Sequence, residues 1–571
     1  MPTSEPFAVL GLCAFTHDSA AALIIDGELV GFVEEERLSG IKHTKEYPRL
    51  AIDWLLGEAG LEPDGIQVVA YNFAGRHYWA AVPASARYLL SSVTRRRAMP
   101  RAASFAKVAY RYERRMRALA TTFPGARLYP ILHHCAHGLY AFTASEYEDS
   151  AVLVVDSLGE VQTTTIGHAF RNGGRPVYRT LWALSDPASL GYAYGAVTEH
   201  LGWRRGDEEG TVMALAALGD PARFRSLFAG AIQITEHGFV LDPQMFPLRV
   251  LTHGYRRTST DFARATCPPR RPQEPIEQVH RDLAAALQER TEQVMVHLAE
   301  RARMMTRARR LCVAGGVATN CLSIGKIVKT GIFDEVFVPP APGDAGTAIG
   351  AAVSAHLCTS LVPLSKVAGC YLGPAYPDLK LDAQPRPGLH ARKVGDPAEL
   401  LAEELAAGRI IGLFQGRAEA GPRALGNRSI LASPLFPGMV ERLNATVKFR
   451  ESFRPFAPVV LADRANEYFT LGQDAPYMSM ASGVTERTRE RIPAVVHVNG
   501  TARLQTVTPR QNPFLAAVLE AFAARTGVPV LINTSLNIKG KPICGTPEMA
   551  LDCLTSSGLD ALLLEGWWVT K

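Results

Sequence analysis

Glycines, prolines and cations alternate along Gly416, Arg417, Gly421, Pro422, Arg423, Gly426, Asn427 and Arg428, and again at Lys448, Arg450, Arg454, Pro455 and Pro458. Glycine and proline restrict the backbone path, and planar guanidinium groups bind oxyanions through paired hydrogen bonds. The spacing therefore predicts a small rigid pocket for a phosphorylated or carboxylated ligand. A solvated basic loop is the alternative. Phe449, Phe453 and Phe456 interleave with the charges and argue against it, because a solvated loop needs no apolar packing between its cations.

A second constellation starts at His133 and His137, four residues apart and so on one face of a helix. Two imidazoles so placed can share a divalent ion, and Asp156 and Asp344 could complete its shell. Mixed ligation of this kind suits iron(II), manganese(II) or zinc(II), while a purely structural histidine pair is the other reading. Metalloprotease chemistry is not indicated, since His134 rather than a glutamate follows His133. His17 and Asp18 sit just past the first strand-like run, and Lys42 and His43 follow in the same stretch. A histidine at a strand end can serve as a general base near neutral pH. It can equally be half of a turn-capping pair.

Two glycine turns follow buried runs. Leu311–Ala314 leads into Gly315, Gly316 and Asn320, and Pro339–Pro342 leads into Gly343, Asp344 and Gly346 ahead of an alanine-rich helix. Such turns bring backbone amides near a phosphate at a helix N-terminus. Together, within about 40 residues, they fit a nucleotide cleft.

These residues need elements to hold them. At 571 residues the chain predicts roughly two to four domains. Apolar runs on either side of Asp26-Gly27 read as a hairpin, and the pattern returns from Ala151 to Trp182 around Asn172, Gly173 and Gly174. Two such units a domain apart predict an internal duplication, as in actin-like ATPases. Prolines cluster from Leu361 to Pro387 like a linker, and a new α/β body follows, with strands at Ile410–Phe414 and Val528–Asn533. The segment from Arg76 to Arg117 is basic and aromatic and predicts helix with a break near Pro100. It reads as an exposed helical face with acceptor-pocket walls, or as a polyanion surface.

Composition bounds the rest. Hydrophobic content of 47% and charged content of 20% are those of a globular protein, and a net charge of +6 permits acidic ligands without arguing for nucleic acid. Nine cysteines form no CxxC pair. With the polar start Met1–Pro6 and no signal peptide they predict a reducing, cytoplasmic setting. No apolar run reaches the ~20 residues of a membrane span.

The motifs THDSAAALIIDG, EEERLSGIKH, HHCAH, VVDSLGE, AGGVATN, GDAGTAIGAA, GRAEAGPRALGNRS, VKFRESFRPFAP and NTSLN occur in the order found in NodU/CmcH-type O-carbamoyltransferases, and the chain resembles that family over nearly its whole length. The resemblance is weakest across 74–120 and about 220–280. It implies an α/β protein: an actin-like (ASKHA) duplicated domain over residues 1–362 and a YrdC-like domain over 363–571. It implies an ATP-dependent (Mg2+) enzyme that turns carbamoyl phosphate into carbamoyl-adenylate in the C-terminal domain. The carbamoyl group then passes, in the metal-containing N-terminal cleft, to a hydroxyl of a small natural-product (antibiotic-type) acceptor. Carried over residue by residue, Arg423, Lys448, Arg454, Arg503, Asn533 and Ser535 bind carbamoyl phosphate and the adenylate. His133, His137, Asp156 and Asp344 hold one divalent ion, with iron(II) expected first and manganese(II) or zinc(II) as alternatives. Gly315, Gly316 and Asn320 line the nucleotide, and His17, as base, and Lys42 stand by the transferring group. No nucleic acid or membrane partner is expected, and homo-oligomerisation is left open.

One departure stands out. Thr211 occupies a position where the family has a lysine, and Ala214 one where it has a glycine; Arg204 or Arg205 are the candidates to replace that charge. Two other readings compete. A tRNA threonylcarbamoyl-transferring enzyme would use Arg95, Arg96 and Arg97 for RNA. An actin-like nucleotide-switched binding protein without transfer activity leaves the C-terminal cationic pocket unexplained.

Overall fold

The computed structural model describes residues 6–571; Met1–Glu5, on which most of the polar start rests, lie outside the described residues. By contacts the chain forms two units. One holds residues up to Val30, Glu46–Pro48 and Leu55–Ala368, and the other holds Gly31–Lys45, Arg49–Trp54 and Gly369–Lys571.

The duplication is visible strand by strand. β1 (Ala8–Cys13), β2 (Ala20–Ile25), β3 (Glu28–Glu34), β4 (Val68–Tyr71) and β5 (Arg127–Pro130) form a sheet in the order 3-2-1-4-5. β1 runs antiparallel to β2 and parallel to β4. The Asp26-Gly27 turn has φ of 48° and 84°, as a two-residue hairpin with right-handed strand twist requires. The second sheet repeats the plan. β6 (Asp149–Gly159), β7 (Gln162–Asn172) and β8 (Arg175–Ser185) form the meander, closed by Gly173 and Gly174 at positive φ. After a small hairpin of β9 (Ile232–Thr235) and β10 (Gly238–Leu241), β11 (Arg310–Ala314) and β12 (Glu335–Phe337) add on in parallel, giving the order 12-11-6-7-8. The first unit thus has the duplicated, actin-like α/β architecture expected of it.

Two helices of this unit lock together through glycine. In the helix Thr347–Thr359, a Cβ on Gly350 would lie 1.9 Å from the Ala136 carbonyl of the helix His133–Ala144. Only glycine permits that approach, which places Asp344, at the start of the first helix, near the histidines of the second. The helix Arg95–Thr122 runs unbroken through Pro100, contrary to the predicted break. Proline costs this helix one hydrogen bond, to the carbonyl of Arg96 early in the helix, where the residue is exposed and water can take the proline's place.

The second unit is a mixed α/β body on a nine-stranded sheet in the order β13-β21-β20-β14-β15-β19-β16-β18-β17. Its strands are β13 (His390–Lys393), β14 (Ile411–Phe414), β15 (Arg428–Ala432), β16 (Ala457–Leu461), β17 (Met480–Gly483), β18 (Thr501–Val507), β19 (Val530–Ser535), β20 (Ala561–Leu564) and β21 (Trp567–Thr570). The helices Pro397–Ala406 and Pro513–Thr526 bury Leu401, Leu405, Leu515, Leu519 and Phe522 against Leu413, Leu431, Val459, Leu531 and Leu563 of the sheet. Every cysteine is a free thiol and all but Cys135 and Cys358 are buried. Among the described residues no helix is long and apolar enough to cross a membrane.

Candidate functional site

In the first unit His133 and His137 point one way from their helix, and their Nε2 atoms lie 3.1 Å apart. His133 Nε2 stands 3.6 Å from Asp156 Oδ2 and 3.5 Å from Asp344 Oδ1, and His137 Nε2 stands 3.9 Å from Asp344 Oδ1. One ligand atom from each of the four residues lies within 4.8 Å of the others. His133 Nδ1 is 3.3 Å from the Asn72 carbonyl, so a proton donated there leaves the Nε2 lone pair facing the cage. Phe73 stacks flat on that imidazole, 4.3 Å between centroids, and fixes its plane. The donor set fits a divalent transition metal.

Local sequence explains the convergence. Asp156 sits where β6 shifts register against β7, between Val155 and Gly159; such a bulge re-aims a side chain. Glu160, at φ 48°, turns back so that its Oε1 accepts the Ala74 N–H at 2.8 Å and the His133 N–H at 3.2 Å. It thereby caps the histidine helix, and burial pushes its carboxyl up to about 6. The sequence reading missed Glu160, because capping from 27 residues away leaves no local signature. Burial and His133 hold His137 well below the usual histidine range. For His133, burial is overcome by Asp344 and Asp156, which hold it well above that range.

The glycine turn belongs to the same wall. Gly316 N–H donates to Asp156 Oδ1 at 3.0 Å and Gly315 N–H to the Pro342 carbonyl at 2.8 Å. A Cβ at Gly315 would lie 2.3 Å from the Val155 carbonyl. These two amides, and the space beside Gly315, are thus taken up within the protein. Asn320 caps the helix Cys321–Thr330 through the Ser323 N–H, and its amide exchanges hydrogen bonds with Gln288.

His17 lies in the same unit, in a turn where Phe15 and Asp18 both have positive φ. Its Nδ1 is 2.8 Å from Asp18 Oδ2, a contact that orients the ring and its Nε2. Gly206 faces that atom: a Cβ there would come within 2.8 Å of it. Thr16 Oγ donates to Asp344 Oδ2 at 3.1 Å, so the turn carrying His17 also touches the cage. Thr211 is buried in the helix Glu209–Leu215, and its hydroxyl has no hydrogen-bond partner. Arg204 is largely exposed, 3.4 Å from Asp207, and Arg205 Nε stands 3.9 Å from Glu199.

Lys42 belongs to the second unit, in the turn after the helix Glu35–Ser39. That segment is clamped to the cationic loop. Gly421 N–H donates to Glu34 Oε1 at 2.6 Å, and Arg37 Nη2 donates to the Gly421 carbonyl at 2.6 Å. Glu419 Oε1 organises the rest of the loop by accepting the N–H groups of Leu425, Asn427 and Arg428 at 2.8–3.0 Å.

The loop's arginines divide by role. Arg428 is fully buried, lies 3.6 Å over the Phe414 ring and donates to the carbonyls of Gln415, Asn427, Pro374 and Gly416. Arg417 donates to the carbonyls of Gly373 and Leu372. Both build the loop. Arg423 is half-buried and precedes Ala424, whose carbonyl accepts from Asn533 Nδ2 at 3.3 Å.

The remaining cations gather beyond a π-helical turn, Leu443–Lys448, a distortion often found at functional sites. Lys448 Nζ is buried against the Ser535 carbonyl and hydroxyl and against Asn537 Oδ1 at 2.7 Å. Burial, then Arg450, pull this ammonium down to about 7. Arg450 is itself pulled to about 9 by burial, Arg454 and Arg503. Arg450, a member of the cationic run, joins this group, and its spacing to Lys448 and Arg454 is the sequence signal for it. His497 was missed altogether; burial and Arg503 lower it to about 4. Asn533 is fully buried, its Nδ2 also donating to Gln505 Oε1 at 2.7 Å, while its Oδ1 has no hydrogen-bond partner among the described residues. The structure thus brings Lys448, Arg454, Arg503 and Ser535 together.

Comparison with known proteins agrees with this division of the chain. A family model of a carbamoyltransferase N-terminus matches residues 8–353, and one of a carbamoyltransferase C-terminus matches residues 402–571. An uncharacterised protein of Synechocystis sp. is 34% identical over 99% of this chain and 96% of its own length. The nodulation protein NolNO of Sinorhizobium fredii is 36% identical over 98% of this chain and 79% of its own length. The nodulation protein NolO of Bradyrhizobium diazoefficiens is 38% identical, covering 77% of this chain and 78% of its own. With both of its halves matched and such relatives aligned along most of their length, the chain belongs to the carbamoyltransferase family and is a carbamoyl-transferring enzyme.

Proposed function

We propose that the chain is an ATP-dependent O-carbamoyltransferase acting on a hydroxylated small molecule of natural-product type. In the second unit carbamoyl phosphate, ATP and water give carbamoyl-adenylate, phosphate and pyrophosphate. In the first unit the acceptor hydroxyl attacks the carbamoyl carbon and AMP leaves.

The observation that carries this reading is a group of buried cations: burial, then Arg450, lowers Lys448, whose ammonium lies against Ser535 and Asn537, and burial, then Arg454 and Arg503, lowers Arg450. Cations that weaken one another in a buried site are stabilised by an anion, and carbamoyl phosphate is a compact dianion. Arg423, next to the Ala424 that Asn533 holds, and Ser535, against Lys448, are assigned to the same ligand, whose carbamoyl N–H suits Asn533 Oδ1. In the first unit His17 Nε2, oriented through Asp18, takes the proton of the acceptor hydroxyl. Gly315 and Gly316 are assigned to the nucleotide by family resemblance. His133, His137, Asp156 and Asp344 would hold a divalent ion, iron(II) first among the candidates, which as a Lewis acid offsets charge on nucleotide phosphate oxygens. Lys42 remains assigned to the transferring group by family resemblance.

The test is pyrophosphate release from ATP as a function of carbamoyl phosphate. The unaltered chain releases it; Lys448→Ala and Arg454→Ala abolish it. Full release in both variants removes this pocket from the reaction. Product mass from a panel of hydroxylated natural products then identifies acceptors by one added carbamoyl group.

A further inference from the structure

Arg97, Arg249 and Arg257 act on Tyr192 in the first unit; Arg101 shares Asp186 with Arg249, and Arg205 shares Glu199 with Arg257. Arg249 lies 4.5 Å over the Tyr192 ring; its Nε donates to Asp186 Oδ1 at 2.8 Å, and its Nη atoms donate to Ser157 Oγ and O at 3.0 and 2.8 Å. Arg101 pairs with the other oxygen of the same Asp186, and its buried Nε has no hydrogen-bond partner among the described residues. Arg257 donates to Glu199 Oε2 at 2.6 Å, whereas Arg205 comes only within 3.9 Å of that oxygen. Arg97 has no carboxylate within 4.0 Å among the described residues. It donates to the carbonyls of Leu248 and Arg256 at 3.1 and 2.7 Å and lies over Tyr255. Glu209, also beside Arg205, already accepts the Gly206 N–H.

The cluster is an electrostatic cost to the free protein. Burial, then Arg257 and Arg249, hold Arg205 below the usual arginine range, and burial with Arg257 does the same to Arg97. A bound oxyanion would offset that repulsion. Its place is also specific. Ser157, held by Arg249, follows the cage residue Asp156, and Gly206, which faces His17 Nε2, follows Arg205. The cluster therefore adjoins both the base and the cage.

That position points to what it binds: Gly206, next to Arg205, faces the base His17, and the group that gives its proton to this base is the acceptor hydroxyl. We propose that Arg97, Arg205, Arg249 and Arg257, around Tyr192, form an anion subsite for the acceptor, which carries a carboxylate, sulfate or phosphate besides the hydroxyl presented to His17. This rests on the transfer reaction proposed above.

Inorganic sulfate is the probe, titrated calorimetrically into the full chain carrying Arg454→Gln, which silences the anion pocket of the second unit. Sulfate binds this protein, and adding Arg97→Gln and Arg257→Gln weakens binding at least ~10-fold, as loss of charge-assisted hydrogen bonds requires. Arg97→Lys with Arg257→Lys retains most of the affinity, because it keeps the charge. Arg257→Gln alone serves if the double variant does not fold. Saturating AMP leaves sulfate binding unchanged. Unaltered binding in the glutamine variants, or none in the Arg454→Gln chain, overturns the subsite. Displacement by AMP assigns the cluster to nucleotide phosphate and overturns the acceptor assignment. Failure of the transfer reading shows separately, as absence of carbamoyl phosphate-dependent pyrophosphate release by the unaltered chain.

Discussion

His133 and His137 hold their Nε2 atoms 3.1 Å apart, inside a cage closed by Asp156 and Asp344. Two lone pairs that close repel unless a positive centre lies between them. In the free cage a proton meets that need: the carboxylates hold His133 charged against its burial, and His137 is driven neutral. A divalent ion meets it better, since it takes all four donors at once.

Metal content therefore depends on each corner of the cage. The purified chain carries about one equivalent of a divalent transition metal by elemental analysis, and His137→Ala or Asp344→Asn retains less than about a tenth of it. Chelation lowers the melting temperature of the unaltered chain, where an ion at a thousand times its dissociation constant contributes about 4 kcal/mol. Melting of the Asp344→Asn variant is insensitive to the chelator.

Binding of carbamoyl phosphate takes up protons. Lys448 sits at about 7 in the free protein, from burial and Arg450. At pH 8 it is largely neutral, and a bound dianion raises it by favouring the ammonium. Affinity therefore falls as pH rises above 7, up to the pKa of the bound state. Calorimetry at pH 8 in buffers of differing ionisation enthalpy shows uptake of up to about one proton per site. Lys448→Met loses both the uptake and the pH dependence.

Asn533 distinguishes a carbamoyl group from an acyl group. Its buried Oδ1 accepts from no group among the described residues, so an N–H from the ligand would satisfy an acceptor that a methyl group leaves bare. Asn533→Ala lowers kcat/KM for carbamoyl phosphate in pyrophosphate release by about 10- to 100-fold, the cost of one such hydrogen bond in a buried site. The inhibition constant of acetyl phosphate, which has a methyl in that place, changes less than about threefold.

What could be read from the chain alone followed periodicity. The four-residue spacing of His133 and His137, the Asp26-Gly27 turn and the repeated meander are local signals, and each is present in the structure. What could not be read depends on contacts distant in sequence. Arg428 resembles Arg423 in the chain, yet four backbone carbonyls consume it. Glu160 caps a helix 27 residues earlier, and Glu34 and Arg37 grip a glycine almost 390 residues away. Pro100 announces a helix break only if the carbonyl it deprives is buried, and Arg96 is exposed.

Gly206 tests whether His17 is the base. It has φ +79°, and a Cβ there would approach His17 Nε2 to 2.8 Å, with the neighbouring ring carbons at 3.4 and 3.6 Å. Gly206→Ala therefore strains its own turn and pushes the imidazole off the position that Asp18 sets. Left-handed backbone costs alanine roughly 1 kcal/mol, and a base displaced by even 1 Å can cost ~10²-fold in rate. Every residue proposed for the adenylating pocket belongs to the second unit, and this substitution alters none of them. Carbamoyl phosphate-dependent pyrophosphate release is accordingly retained, while carbamoyl transfer to the acceptor, read by product mass, falls ~10- to 100-fold. His17→Ala gives the same split more deeply, with a loss of ~10²- to 10⁴-fold in transfer. If Gly206→Ala slows both half-reactions equally, the defect lies in folding. If His17→Ala transfers at the full rate, the proton is taken elsewhere.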